Sequence, residues 1–170
     1  GGAEGAPAQW NTEQRRLDAL RTELGVRQAI HFAGARDQEQ LPLFYAAADI
    51  VTMPSHYESF GMAALEGLAC GRPVVATSAG GPAYIVEHGT SGLHAPPNDH
   101  VALAAQLERL LSDDSLRATM GQAARQRAQR FGWAAVANDI LRVYDDTIER
   151  STLARVATAL PRAQALVPRG

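Results

Sequence analysis

Between positions 50 and 95 the chain alternates short β-branched or aliphatic runs with segments of single-helix length, and that alternation limits it to few architectures. Ile50-Val51-Thr52-Met53 is stopped by Pro54, Pro73-Val74-Val75-Ala76 forms a second run, and Gly92-Leu93-His94-Ala95 closes before Pro96-Pro97. The stretch from Gly61 to Cys70 is apolar and helical and is ended by Gly71. Strands separated by single helices are the pattern of a parallel sheet with right-handed crossovers, whose ligands lie beyond the carboxyl ends of the strands. The expected fold class is therefore α/β, a Rossmann-like parallel sheet.

The flanks extend this pattern. Leu17, Leu20 and Leu24 recur at helical spacing from Thr12 to about Leu24, with Asn11 as N-cap and Gly25 as stop. Ala29-Ile30-His31-Phe32 reads as a short strand closed by Gly34, after which Asp37 is expected to cap a helix carrying Leu41, Phe44, Tyr45 and Ala48. Past Pro97 no strand signal remains. Asp99 to Leu111, Asp113 to Arg130 and Trp133 to Ile148 read as three helices, the last with Trp133, Val136, Ile140, Val143 and Tyr144 on one stripe. The expected organisation is one domain over 1–150 and a weakly helical or disordered tail over 151–170 whose end, Leu166 to Gly170, resembles a thrombin-site scar.

Sixteen basic residues, all arginine, are scattered among eighteen acidic ones in the 170-residue chain, which argues against a nucleic-acid surface or an acidic-lipid patch. Any anionic partner must be held locally. The one cysteine, Cys70, excludes a disulfide framework and fits a reducing compartment, so the cytoplasm is the expected location. No apolar run approaches the roughly 20 residues of a transmembrane helix.

The chemical signal lies between Pro54 and Gly71. A helix apolar on all sides is expected to be buried, yet this one carries a carboxylate at Glu66. Burying an unpaired carboxylate is prohibitive, so Glu66 needs donors from the protein or from a ligand. It lies too late in the helix for a capping box. An ion pair with Arg72 and a bound ligand both remain open. Glu58 lies eight residues earlier, in the strand-to-helix turn, so the two carboxylates bracket the helix N-terminus. Amides near Phe60, Gly61 and Met62, left free at that terminus, would form an anion cradle. A hexose, a diphosphate and a ribose with two hydroxyls have the matching layout.

Glu58 to Glu66 with Ser59-Phe60-Gly61 between them, then Ala69-Cys70-Gly71-Arg72-Pro73-Val74-Val75-Ala76-Thr77 and Gly80-Gly81, resembles the signature of the family-four retaining glycosyltransferases of the GT-B fold. The Phe32-Ala33-Gly34 turn, Leu41-Pro42 through Asp49, and Gly89-Thr90 through Pro97 extend the likeness, which runs from Gly1 to about Tyr144. Ser-His-Tyr-Glu-Ser-Phe-Gly-Met is most similar to sucrose-phosphate-synthase-like and mycothiol-type members.

The resemblance implies the C-terminal, donor-binding half of such an enzyme, lacking its first strands and followed by C-terminal helices. It implies that Glu58 is catalytic, accepting hydrogen bonds from donor-sugar hydroxyls. The amides of Phe60, Gly61 and Met62 would bind sugar hydroxyl and distal phosphate, Glu66 the ribose, and the Gly34-Ala35-Arg36 loop the nucleobase. His56 is a candidate contact near the sugar. The donor would be a UDP- or GDP-hexose, transferred with retention and with no essential metal or other cofactor. The family's diphosphate-clamping Arg and Lys on the first strand-loop unit, and its acceptor-binding N-terminal domain, have no counterpart here. These residues alone are therefore expected to be inactive, with the acceptor unknown. A nucleotide-sugar epimerase of the same fold and a non-catalytic nucleotide-sugar-binding module are the alternatives.

Other features carry less. Ser55, His56 and Glu58 do not make a hydrolase triad, because neighbours in an extended loop point apart. His31, His56, His88, His94 and His100 have no metal-ligand spacing, so no metal site is expected. Cys70 is read as an inert packing residue and Tyr57 as a loop residue. Gly80-Gly81 either lines the donor site through its backbone or turns the chain. Arg125, Arg127 and Arg130 are read as solvent-facing cations that complement a helix dipole.

Overall fold

The computed structural model describes residues 11–159, with side chains to residue 152. Three strands, β1 (Val51–Met53), β2 (Val74–Thr77) and β3 (Gly92–Ala95), form a parallel sheet in that order. The register pairs Val51 with Val74 and Ala76 with His94. The helices are α1 (Thr12–Glu23), α2 (Leu41–Ala47), α3 (Met62–Ala69), α4 (Gly80–Ile85), α5 (His100–Leu111), α6 (Asp114–Gln129) and α7 (Trp133–Ala159).

Side chains alternate across a strand, so the sheet sorts its neighbours into two layers. Val74 and Ala76 of β2 pack with Ala64 and Leu68 of α3, Ile85 of α4, and Ala124 and Ala128 of α6. Val75 points the other way, with Leu93 of β3, Leu110 of α5 and Met120 of α6. β2, buried at all four positions, is the centre of the molecule. Gly67 lets α3 lie close on β1, since a Cβ there would come within 2.9 Å of Val51 Cγ2.

Capping follows the sequence at three helices. Asn11 and Gln14 form a reciprocal capping box on α1, and Asp99 and Asp113 accept the amides of Ala102 and Leu116 at the starts of α5 and α6. Four expectations need correction. Ala29 to Phe32 is no strand: a single 3-10 turn (Arg27–Ala29) leads into irregular chain, held where Arg21 donates to the Ile30 carbonyl oxygen and lies over the Phe32 ring. Asp37 does not cap α2, which begins after Gln40 without a side-chain cap. The Asp37 carbonyl instead accepts the Gln40 amide in the preceding turn. α3 is not buried on all sides, because only Ala64, Gly67 and Leu68 are buried and Met62 is 55% exposed. Arg127 is not solvent-facing: it donates to the carbonyls of Tyr84 and Ile85 at the end of α4.

α4 is an element the sequence reading did not assign. α7 runs unbroken past position 150, and its stripe residues Trp133, Ile140, Val143 and Tyr144 are exposed. Among the described residues no helix is long and apolar enough to cross a membrane. Gly1-Gly2 and Leu166 to Gly170 lie outside the described residues.

Candidate functional site

The loop from Pro54 to Gly61 leaves the carboxyl end of β1 and is fixed from beneath at two points. Thr77, at the end of β2, donates its hydroxyl to the Ser55 carbonyl at 2.7 Å. The Gly81 amide donates to the Glu58 carbonyl at 2.9 Å. A Cβ on Gly80 would collide with the Glu58 carbonyl oxygen, and one on Gly81 with the Phe60 backbone. The Gly80-Gly81 pair therefore both turns the chain, with φ +62° at Gly80, and supports the loop by close backbone approach.

Gly61 takes φ +98° as the N-cap of α3. The half-buried Glu58 side chain folds back over this start, and its Oε1 accepts from the Phe60 amide at 3.3 Å and the Gly61 amide at 3.2 Å. The expectation of free amides at Phe60 and Gly61 is thus corrected: an internal carboxylate occupies the cradle. It is the kind of group a helix N-terminus attracts. Met62 opens the helix proper, where the first N–H groups have no intrahelical partner.

Glu66 lies one turn further on, about 6 Å along the axis from Met62. Its carboxylate is half-buried, and Oε2 accepts a hydrogen bond from the Tyr45 hydroxyl at 2.9 Å. Burial first, then the hydrogen bond and charge of Glu66, push the Tyr45 phenol up to about 12, so it stays a donor throughout the physiological range. Arg72 is not the partner of Glu66, because its guanidinium turns to the Ala46 carbonyl. Glu66 opens instead into a pocket of about 230 Å³ with Gln38, Leu41, Pro42, Tyr45 and Cys70. Cys70 thus lines this pocket, with its Sγ 3.9 Å from the Pro42 carbonyl oxygen.

A second pocket of about 440 Å³, formed by Ala33, Gly34, Ala35, Arg36 and Phe44, shares Leu41 and Tyr45 as its wall. The fold therefore places the pocket of Ala35 and Arg36 next to that of Glu66, with Leu41 and Tyr45 common to both. Arg36 lies over the Phe44 ring at 5.5 Å. His56 is exposed and lines a separate cavity of about 170 Å³ with Thr77, Pro96 and Asp99, apart from Glu66. Tyr57 is 84% exposed on the loop. Among the described residues no three His, Cys, Asp or Glu side chains group as a metal-ligand set.

Tyr45 is the residue that sequence reasoning left out of the site. Its place in the α2 pattern is legible, but its link to Glu66 spans 21 residues and two helices. Chemically, the arrangement offers an acceptor carboxylate in a pocket, a helix start suited to anions one turn away, and a second pocket that shares Leu41 and Tyr45 with the first.

The sequence model described as "Glycosyl transferases group 1" matches residues 10–127. The chain is 42% identical over 146 residues to a D-inositol 3-phosphate glycosyltransferase of Corynebacterium jeikeium, covering 86% of this chain and 34% of that protein. Among solved structures, the sucrose-phosphate synthase of Thermosynechococcus elongatus superposes with a TM-score of 0.75 at 36% identity, covering 88% of this chain and 38% of that one. Anabaena HepE in complex with UDP-glucose superposes with a TM-score of 0.71 at 31% identity, covering 82% and 39%. The chain spans about a third of the length of the curated relatives it matches.

Proposed function

This chain belongs to the group 1 glycosyl transferases, and on that premise we propose that it is the donor-holding part of a retaining transferase. The donor is a nucleotide diphosphate hexose. The observation that carries this reading is the Glu66 carboxylate, held by one hydroxyl and open to a pocket that shares Leu41 and Tyr45 with the pocket of the Ala33 to Arg36 loop. Glu66 receives the ribose hydroxyls there, and Ala35 and Arg36 pack against the base. The diphosphate lies toward the start of α3, near the amides of Phe60, Gly61 and Met62.

Donor binding requires Glu58 to leave the amides it holds. Turned outward, its carboxylate accepts hydrogen bonds from the sugar hydroxyls. As the bond from the anomeric carbon to the phosphate oxygen breaks, its electron pair moves to the diphosphate and positive charge spreads over the sugar ring. Preorganised N–H groups aimed at the departing oxygens stabilise that charge more in the transition state than in the ground state. The acceptor hydroxyl then bonds to the anomeric carbon on the face the phosphate left, and its proton goes to the departing diphosphate. His56 remains a candidate contact at the sugar end. Acceptor choice lies with residues outside this chain, which on its own does not turn over donor. The reaction is given no metal or other cofactor, and the cytoplasm is its proposed setting.

The structure of HepE with UDP-glucose supports a uridine donor, with GDP-hexose as the second choice. A thermal-shift panel of UDP-, GDP- and ADP-hexoses on the full polypeptide that carries this chain tests the reading. A ligand that binds only the folded state raises the melting temperature with its concentration. The UDP- or GDP-sugar is expected to do so at sub-millimolar concentration, and absence of any shift across the panel would overturn the reading.

A further inference from the structure

We infer that Tyr45 is a positioning residue for Glu66, fixing one carboxylate oxygen so that the other is presented to the ribose of the bound nucleotide. The inference rests on the ribose assignment proposed above. A glutamate on an exposed helix face samples several rotamers, and ordering it on ligand binding costs affinity. Here that freedom is already restricted. Tyr45 comes from α2, its hydroxyl reaches Glu66 Oε2 at 2.9 Å, and a tyrosine ring turns about only two side-chain bonds. Among the described residues no other donor reaches the Glu66 carboxylate, so Oε1 keeps its acceptor capacity.

The placement of Tyr45 adds a second argument. With Leu41 it forms the wall common to the Glu66 pocket and the Ala33 to Arg36 pocket. A nucleoside with its base in one and its ribose in the other would cross the Tyr45 ring, while the hydroxyl beneath holds the ribose acceptor in place. A contact that merely joined α2 to α3 would need no such position.

Tyr45→Phe in the full polypeptide separates the two roles, because it keeps the ring and its packing and removes only the donor. Affinities for UDP, 2′-deoxy-UDP and 3′-deoxy-UDP are measured by calorimetry, with the melting temperature as a check on folding. The wild type is expected to prefer UDP to at least one deoxy form, and Tyr45→Phe is expected to shrink that preference roughly fivefold by weakening UDP more than that deoxy form. At saturating donor its kcat stays near wild type, so the loss appears in KM. A Tyr45→Phe protein that keeps the wild-type preference, whether or not it melts earlier, overturns the positioning role and leaves the ribose site standing. A wild type that does not distinguish UDP from either deoxy form overturns the ribose site itself, and this inference with it.

Discussion

Glu58→Ala in the full polypeptide is expected to lower kcat by on the order of a hundredfold or more, the usual cost of losing one transition-state electrostatic contact. Nucleotide affinity should hold or rise. The two effects diverge because of what Glu58 does without ligand: it occupies the Phe60 and Gly61 amides, and its removal frees them. A uniform structural defect would weaken UDP binding and turnover together. Losing the carboxylate that holds two amides at the start of α3 should cost about 1 kcal/mol, a fall of only a few degrees in melting temperature. Steady-state kinetics beside UDP calorimetry read the split directly. A non-catalytic binding module would instead keep its biological activity after this substitution, and an epimerase would convert labelled donor into its epimer with no acceptor present.

Gly81→Ala is expected to damage the site from below. A Cβ at this position would meet the oxygen, carbonyl carbon and Cα of Phe60, all backbone atoms that no side-chain rotation can move aside. The loop would have to lift, breaking the hydrogen bond that the Gly81 amide donates to the Glu58 carbonyl and displacing the start of α3. Overpacking of this kind costs about 1–3 kcal/mol, and the rigid obstacle favours the upper end. UDP affinity should fall at least tenfold, on the order of 1.4 kcal/mol, while the circular dichroism spectrum keeps its α/β shape. A urea titration and UDP calorimetry check both parts. Wild-type stability with wild-type binding would mean that the 58–61 loop does not rest on α4.

The sheet was legible because its runs are short, β-branched and separated by single helices, a pattern with few solutions. β2 reads clearly, since Val74, Val75 and Ala76 are buried on both faces and need no alternation. Ile30-His31-Phe32 has the same local character but pairs with no strand among the described residues. Arg21, from the end of α1, donates to the Ile30 carbonyl and lies over the Phe32 ring, a docking of neighbouring segments that composition does not encode. α4 escaped notice because Gly80-Gly81-Pro82 is a poor helix former. It is helical because close approach to the loop requires glycine, and proline is tolerated in a first turn.

Glu66 was legible for the opposite reason, a carboxylate out of place in an apolar helix. Its partner was not, because the choice between Arg72 and Tyr45 depends on how α2 docks against α3. Nor could spacing reveal that Glu58 folds back onto the Phe60 and Gly61 amides, since that is a rotamer decided by the helix terminus. Arg127 shows the same limit: its position late in α6 suggested solvent, and docking brought it to the carbonyls that end α4.

The Glu66 carboxylate is kept, on the proposed function, for the nucleotide's ribose. Glu66→Gln tests it most directly, because the amide fills the same volume and can still accept from Tyr45 while losing the charge. Calorimetry with UDP should show affinity reduced roughly tenfold, the loss expected for a hydrogen bond to a charged group, with the melting temperature within a few degrees of wild type. Undiminished UDP affinity, or a Glu66→Gln protein that no longer folds, would contradict the claim.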